Sequence, residues 1–409
     1  MERERHIFCI LIKNLLHSDT ECYFDEVYDW LQLEKMAKQH NLFPMFFEAA
    51  SKYNSYTEEL GYYKAMQEAM NAIAMQVKRT SAFLKLYQSF SKEGLYPIVV
   101  KGLICRELYG ELCDHRPSGD EDILIRPSEY LKVKQILIAN GYELEDEPEL
   151  EKQIDRLQEI SFYNALEKLH IELHFNLMGR ENDARSKMSD YFKDVFEEYR
   201  EVNIGGIEIR TLSHQNHLLY LILHAFKHFI GGGFGIRQML DILLYHEKFG
   251  QEIDIAQLNR ALERFKADKF WSDLIFIGNA YLGFELPNSR EANCPEELLE
   301  DMLFCGVFGN GTQAQRAAAR TTLFSTGDYL KNKKTNQFVM FWRTIFPNKV
   351  YLLHNAPHLE DKPWLLPVEW VKRWGRFIKR SIRNDGNLTD ESMKISQKRM
   401  NLLKKYNLM

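Results

Sequence analysis

Two periodicities run along the chain, and the change from one to the other divides it. Up to about residue 93 the apolar positions recur at helical spacing. In FDEVYDWLQLEKMAKQH, Val27, Trp30, Leu31 and Leu33 sit among charges. From Thr57 to Lys92 the stripe Met66, Met70, Ile73, Met75, Val77, Phe83, Leu84 and Leu86 has no internal proline. It predicts one long helix stopped at Gly94.

After Gly94 the pattern shortens. YPIVV, residues 96–100, is an apolar run between two glycines and predicts a buried strand. LICRELYG reads as helix, and DILI at 122–125 as a second strand. Ser128 is placed to cap a helix ending at Gly141. Residues 142–145 read as a further strand. Residues 160–163 and 168–175 alternate like a half-buried hairpin. Leu169, Ile171, Leu173 and Phe175 share one face of it, and His170, Glu172 and His174 the other.

Helical spacing returns from Ser213, over 214–230, 236–248, 255–265 and 269–282. Prolines 357, 363 and 367 mark a join before a basic tail, which ends in a helical piece near 392–406. The expected class is α+β, a small mixed sheet with flanking helices inside a mostly helical chain. Its expected parts are a helical region 1–93, an α/β core 94–210, a helical domain 211–360 and the tail 361–409.

Composition narrows the choice. A length of 409 residues allows two or three domains. With 45% hydrophobic and 27% charged residues, a disordered or low-complexity chain is excluded. The net charge of −5 argues against a bulk electrostatic surface for nucleic acid. The charge is uneven, however: from Pro363 onward 11 Lys and Arg face 4 Asp and Glu. Lys372, Arg373, Arg376, Lys379, Arg380 and Arg383 are interleaved there with Trp370, Trp374, Phe377 and Ile378. Such a helix is either a solvated face or a contact for RNA, an acidic partner or anionic lipid.

Six scattered cysteines without a C-x-x-C pair give no zinc framework and read as reduced thiols. No apolar run reaches the roughly 18 residues of a membrane helix. A cytoplasmic protein without a membrane span is expected.

The chemistry concentrates in VVKGLICRELYGELCDHRPSGDEDILIR. Asp120 and Asp122 stand two apart at the start of a strand, so both carboxylates point to one side. Adjacent carboxylates repel unless a cation lies between them. A divalent metal, Mg²⁺ or Mn²⁺, takes such hard oxygen ligands. Glu172 on a separate strand can complete the set. Three carboxylates on neighbouring strands form the protein side of a two-metal phosphoryl- or nucleotidyl-transfer site. Gly102, between strand and helix, lets backbone N–H groups approach a phosphate.

These residues carry a resemblance. K-G-x(17)-D-x-D followed by an acidic strand resembles the nucleotidyltransferase superfamily that includes polymerase beta. KG…RPSGDEDILI…HIELHF…HAFKH…RQMLDI resembles, more closely, a bacterial family of uncharacterised nucleotidyltransferases, over roughly residues 40 to 370. The resemblance implies a nucleotidyltransferase core with Asp120, Asp122 and Glu172 as metal-holding catalytic residues. It implies Lys101, Gly102, Arg116 and Ser118 around the nucleotide. The partners would be a nucleoside triphosphate and an acceptor hydroxyl that the residues do not select. Leu103 stands where the superfamily has Ser, so a hydroxyl contact is missing and Lys101 is the candidate replacement. The third carboxylate is Glu, with a longer reach than the commoner Asp.

His217, His224 and His228 fall at helical spacing. Ala225 and Phe226 follow His224, which excludes the zinc-protease H-E-x-x-H pattern. The resemblance implies that this helical domain closes the cleft. His224, His228, Arg237 and Asp241, with His174 on the strand, then line a substrate pocket or hold elements together. Gly231–Gly233 is a plausible hinge. Besides the enzyme, two readings stand: a nucleotide-binding module without turnover, favoured by Leu103, and an RNA-binding protein led by the tail.

Overall fold

The computed structural model describes residues 2–17, 28–146, 154, 157–179, 183–288, 290–306, 346, 352, 356–359, 362–383 and 387–408. Among them are fifteen α-helices and one mixed sheet of seven strands. The helical start comprises α1 (Glu2–Leu16), α2 (Trp30–Gln39), α3 (Phe43–Ala50), α4 (Asn54–Thr57) and α5 (Tyr62–Lys92). The long stripe does form one helix, α5. It stops where Gly94 turns back at φ +73°, a conformation that only glycine adopts without strain.

The sheet holds β1 (Ile98–Val99), β2 (Asp120–Leu124), β3 (Glu143–Leu144), β4 (Glu159–Asn164), β5 (Leu169–His174), β6 (Tyr199–Ile204) and β7 (Ile207–Leu212), in the order β3-β4-β5-β2-β1-β7-β6. The β2–β5 and β1–β7 pairs are parallel and the others antiparallel. The β6–β7 hairpin has no counterpart among the expected strands. Its Gly205-Gly206 turn, both at positive φ, between alternating YREVNI and IEIRTL is the signal that marks it.

Two helical layers cover the sheet. Ile123, Ile171, Leu173 and Phe162 pack on one face against Phe83, Tyr87 and Phe90 of α5 and Val133 and Leu137 of α7 (Tyr130–Ala139). Ser128 does not cap α7. A 3₁₀ turn at 127–129 precedes that helix, and Glu129 closes the turn by accepting from the Arg126 N–H. On the opposite face Ile98, Val100, Leu124 and Leu212 meet the apolar side of α9 (His214–Gly231) and its neighbours α10 (Ile236–Phe249), α11 (Ile255–Arg264) and α12 (Asp268–Tyr281). One-turn α6 (Leu103–Arg106) follows β1, and α8 (Asp183–Tyr191) lies between β5 and β6.

The α10 layer is tied to the core by charge. Arg116 donates from Nε and Nη2 to both oxygens of Asp241, at 2.7 and 2.6 Å, and Tyr109 donates to the same carboxylate at 2.8 Å. All three side chains are buried.

The tail contributes α14 (Leu366–Arg383) and α15 (Asn387–Lys405), after α13 (Pro295–Cys305). Much of the charge of α15 is neutralised by α13: Lys398 pairs with Glu300, buried Arg399 with Asp301, and Lys405 with Glu297. In α14, Lys372 pairs with Glu369. The side chains of Arg376, Phe377, Ile378, Lys379, Arg380 and Arg383 lie outside the described residues. No helix among the described residues is long and apolar enough to cross a membrane.

Removing one partner of a buried, hydrogen-bonded ion pair strands the other charge, at a cost of about 3–5 kcal/mol. Asp241→Ala is therefore expected to lower unfolding stability by about that amount. Urea denaturation checks it, and a loss under about 1 kcal/mol would show that the pair does not lock the layers.

Candidate active site

Strand register builds the site. Across parallel β2 and β5, Asp120 lies opposite His170, Asp122 opposite Glu172, and Leu124 opposite His174. Antiparallel β4 extends each rung with Tyr163, Ser161 and Glu159 in turn. Directly paired residues share a face of a sheet, so the two aspartates, Glu172, His174 and Glu159 all lie on one side. The intervening Glu121 points to the other side.

Asp122 is buried and its charge is compensated on two sides. Lys101 Nζ lies 2.8 Å from Oδ1, and His174 Nε2 lies 2.9 Å from the same oxygen. Burial opposes ionisation of Asp122, but Lys101 and His174 outweigh it and hold the carboxyl well below the usual range. Burial, with Asp122 nearby, raises Glu172 against the pull of His174. Burial also works against the charge of Lys101, yet Asp122 keeps it an ammonium above the ordinary lysine range.

His174 sits between three carboxylates: Asp122, Glu172 at 3.6 Å and Glu159 at 3.2 Å. Burial alone would lower its pKa, but Glu159 and the other two lift it to about 9. Sequence reasoning placed His174 near the carboxylates and missed Glu159. The alternation of EISFYN contained the signal, and only the pairing of β4 with β5 gives it meaning.

Asp122, Glu172 and His174 each bring a ligand atom within 4.8 Å of the other two. Two carboxylate oxygens and an imidazole nitrogen fit one divalent cation such as Mg²⁺ or Mn²⁺. Asp120 is outside this tight set. It lines a cleft of about 280 Å³ together with Gly119, Ser161, His170, Glu172, Asn41 and Arg237. Asn41, in the left-handed region at φ +55° just past α2, is another residue the sequence did not reveal.

Gly102 is required twice over. Its φ is +49°, and a Cβ there would lie 2.0 Å from the Glu121 carboxylate. Glu121 accepts from the Leu103 N–H at 2.7 Å and from Arg106 at 2.6 Å. The first N–H after the glycine therefore turns inward. Ser118 is buried as well. Its N–H donates to Gln76 at 2.7 Å and its hydroxyl to the Asp120 carbonyl at 2.7 Å, which fixes the loop carrying Asp120.

The helical side divides into two groups. His224 Nε2 lies 3.3 Å from Lys101 Nζ and 2.9 Å from His228 Nε2. Burial, then Lys101, pushes His224 well below its ordinary range; burial, then Lys227, brings His228 to about 3. Both shifts favour the neutral imidazole, the form in which His224 can accept from the lysine. Arg237 faces the cleft and donates to the Pro117 carbonyl. Its Nε has no partner, and among the described residues no carboxylate pairs with it. Asp241 points away to Arg116. Gly233, at φ +106°, packs where a Cβ would meet Cys305 at 2.4 Å.

Residues 26–283 match the family model described as uncharacterised nucleotidyltransferase. The match spans well over half of the 409 residues, and the chain belongs to that family. It runs from just before α2 to the end of α12, so it takes in Asn41, the sheet and the helices bearing His224 and Arg237. The resemblance was expected to reach residue 370, and the match ends well before that. No curated protein and no solved structure matches the chain.

A histidine raised from about 6.5 to about 9 contributes stability that is complete below the lower value. That contribution is lost as pH rises through the higher one. Without metal, the urea midpoint is expected to fall between pH 6.5 and 9. His174→Gln should start lower and lose this slope; an unchanged slope would show that His174 is not the titrating group.

Proposed function

We propose that this protein transfers a nucleoside monophosphate from a nucleoside triphosphate to a hydroxyl of an acceptor, with release of pyrophosphate. The observation that carries the reading is the Asp122–Glu172 rung, with Asp120 two residues away on the same face at a cleft. Membership of a nucleotidyltransferase family supports it. Asp122, Glu172 and His174 would hold a divalent ion, Mg²⁺ or Mn²⁺, with Asp120 facing it from the cleft. Such an ion neutralises charge developing on the attacking and leaving oxygens.

The chain's own groups supply the rest. Arg237 is a buried guanidinium without a carboxylate, beside a cleft walled by Asp120 and Glu172. It is placed to take phosphate oxygens in a charge-assisted, forked contact. Ser118 holds the backbone of Asp120, and Arg116 with Asp241 keeps α10, and so Arg237, against the sheet. A triphosphate substrate and free thiols, Cys113 among them only partly buried, fit a cytoplasmic location.

Asp120→Asn or Asp122→Asn is expected to lower pyrophosphate release by at least about a hundredfold while circular dichroism stays native. Assays with each ribonucleotide and Mg²⁺ or Mn²⁺, with mass analysis of the protein and added acceptors, test the reading. Normal turnover in either variant would sink it. Arg237→Gln removes a charged hydrogen bond worth about 1.5–3 kcal/mol, so KM for the triphosphate should rise about ten- to a hundredfold. An unchanged KM would remove Arg237 from the nucleotide site.

One observation favours a second reading, a nucleotide-binding module without turnover. The Leu103 N–H is used on Glu121, and Leu103 has no hydroxyl to offer a phosphate. Metal-dependent nucleotide binding with no pyrophosphate release in the wild-type protein would select it.

A further inference from the structure

Three carboxylates such as Asp120, Asp122 and Glu172 can form the protein side of a two-ion site, in which Asp122, the middle one, would be shared between the ions. Here the two flanks of Asp122 differ. On the β5 flank, Glu172 and His174 bring ligand atoms close enough for one ion. On the β1 flank the place beside Asp122 is filled by the chain itself. Lys101 directly follows Val100, whose N–H bonds the Asp122 carbonyl at 3.1 Å. From there its ammonium reaches Oδ1 at 2.8 Å.

The lysine is held in place. Its side chain is 19% exposed, and His224 accepts a second of its three N–H groups from the α9 layer. Removing it would leave a buried carboxylate with one cationic neighbour fewer. The cleft is lined by Asp120 and Glu172. An ion entering there would meet Asp122 on its Glu172 side, with Lys101 on the other.

We propose that Lys101 is a built-in cation that takes the place of one of the two metal ions, so that the site works with one divalent ion and one lysine. This rests on the nucleotidyl-transfer reading. An ammonium is a compact point charge with three donors. With one N–H on Asp122 and one on His224, the third is left for a phosphate oxygen. It would do there what the missing hydroxyl at Leu103 does not. Neutral His224 and His228 fit this role, because an imidazolium beside Lys101 would repel it.

The test counts ions. Equilibrium dialysis and native mass spectrometry would be run on the full chain with Mn²⁺ alone, and with Mn²⁺ plus the α,β-methylene analogues of ATP and GTP. One Mn²⁺ per chain is expected in the wild-type protein under both conditions, and two in Lys101→Met with an analogue present. Lys101→Arg, which keeps the cation, should still bind one. Two ions in the wild-type chain, or none, overturn the proposal whether or not the variants fold. A Lys101→Met protein that folds, binds an analogue and still holds one ion also overturns it. The outcomes separate the two claims. Analogue bound together with two ions keeps nucleotidyl transfer and rejects the lysine's role. One ion without analogue binding, and a second gained in Lys101→Met with Mn²⁺ alone, keeps the lysine's role and rejects the nucleotide.

Discussion

A carboxylate sealed in as tightly as that of Asp122 cannot stay ionised without compensation, because desolvating an unpaired charge costs several kcal/mol. The surroundings of the site follow from that requirement. Lys101 comes over from β1 and His174 from β5, and both donate to a single oxygen. His174 in turn draws Glu159 from β4, while Lys101 draws His224 from α9. Four elements distant in sequence are thus held at one atom. The same arrangement lowers the pKa of two imidazoles on the helix and raises that of the one on the strand.

Glu121 imposes the same constraint on the other face of β2. It is buried against Arg106 and the Leu103 N–H, and the Gly102 turn has to leave room for it. D-E-D therefore has two functions in three residues. The outer pair faces the cleft, and the middle carboxylate ties β2 to the turn and helix that follow β1. A substitution at Glu121 would act through position rather than chemistry, by shifting Lys101 and Asp122 relative to each other.

Arg116 and Asp241 do comparable work between layers. Arg116, four residues before Asp120, resembles a nucleotide contact when read along the chain. In the fold its Nε and Nη2 are taken by Asp241 of α10, and the arginine that lines the cleft is Arg237. The basic tail resolves in part the same way. Lys398, Arg399 and Lys405 meet the acidic side of α13, so a surplus that looks like an external binding face includes a docking face for the chain itself.

Much of this was legible in the residues. Period 3.6 located α2, α5 and α9 to α12, and period two with short apolar runs located β1 to β5, because apolar spacing directly reflects which side is buried. D-x-D on one face and an acid on a second strand were readable, since alternation in a strand is geometric. The β6–β7 hairpin is legible too, in its double glycine. Folding decided what spacing cannot encode, namely which strand lies beside which and in what register. Parallel pairing of β2 with β5 put Glu172 opposite Asp122, and antiparallel β4 supplied Glu159. Packing of α9 and α10 chose His224 for Lys101, Asp241 for Arg116, and left Arg237 to the cleft. Those choices depend on compensating buried charge across contacts more than a hundred residues apart in sequence, and no local pattern carries that information.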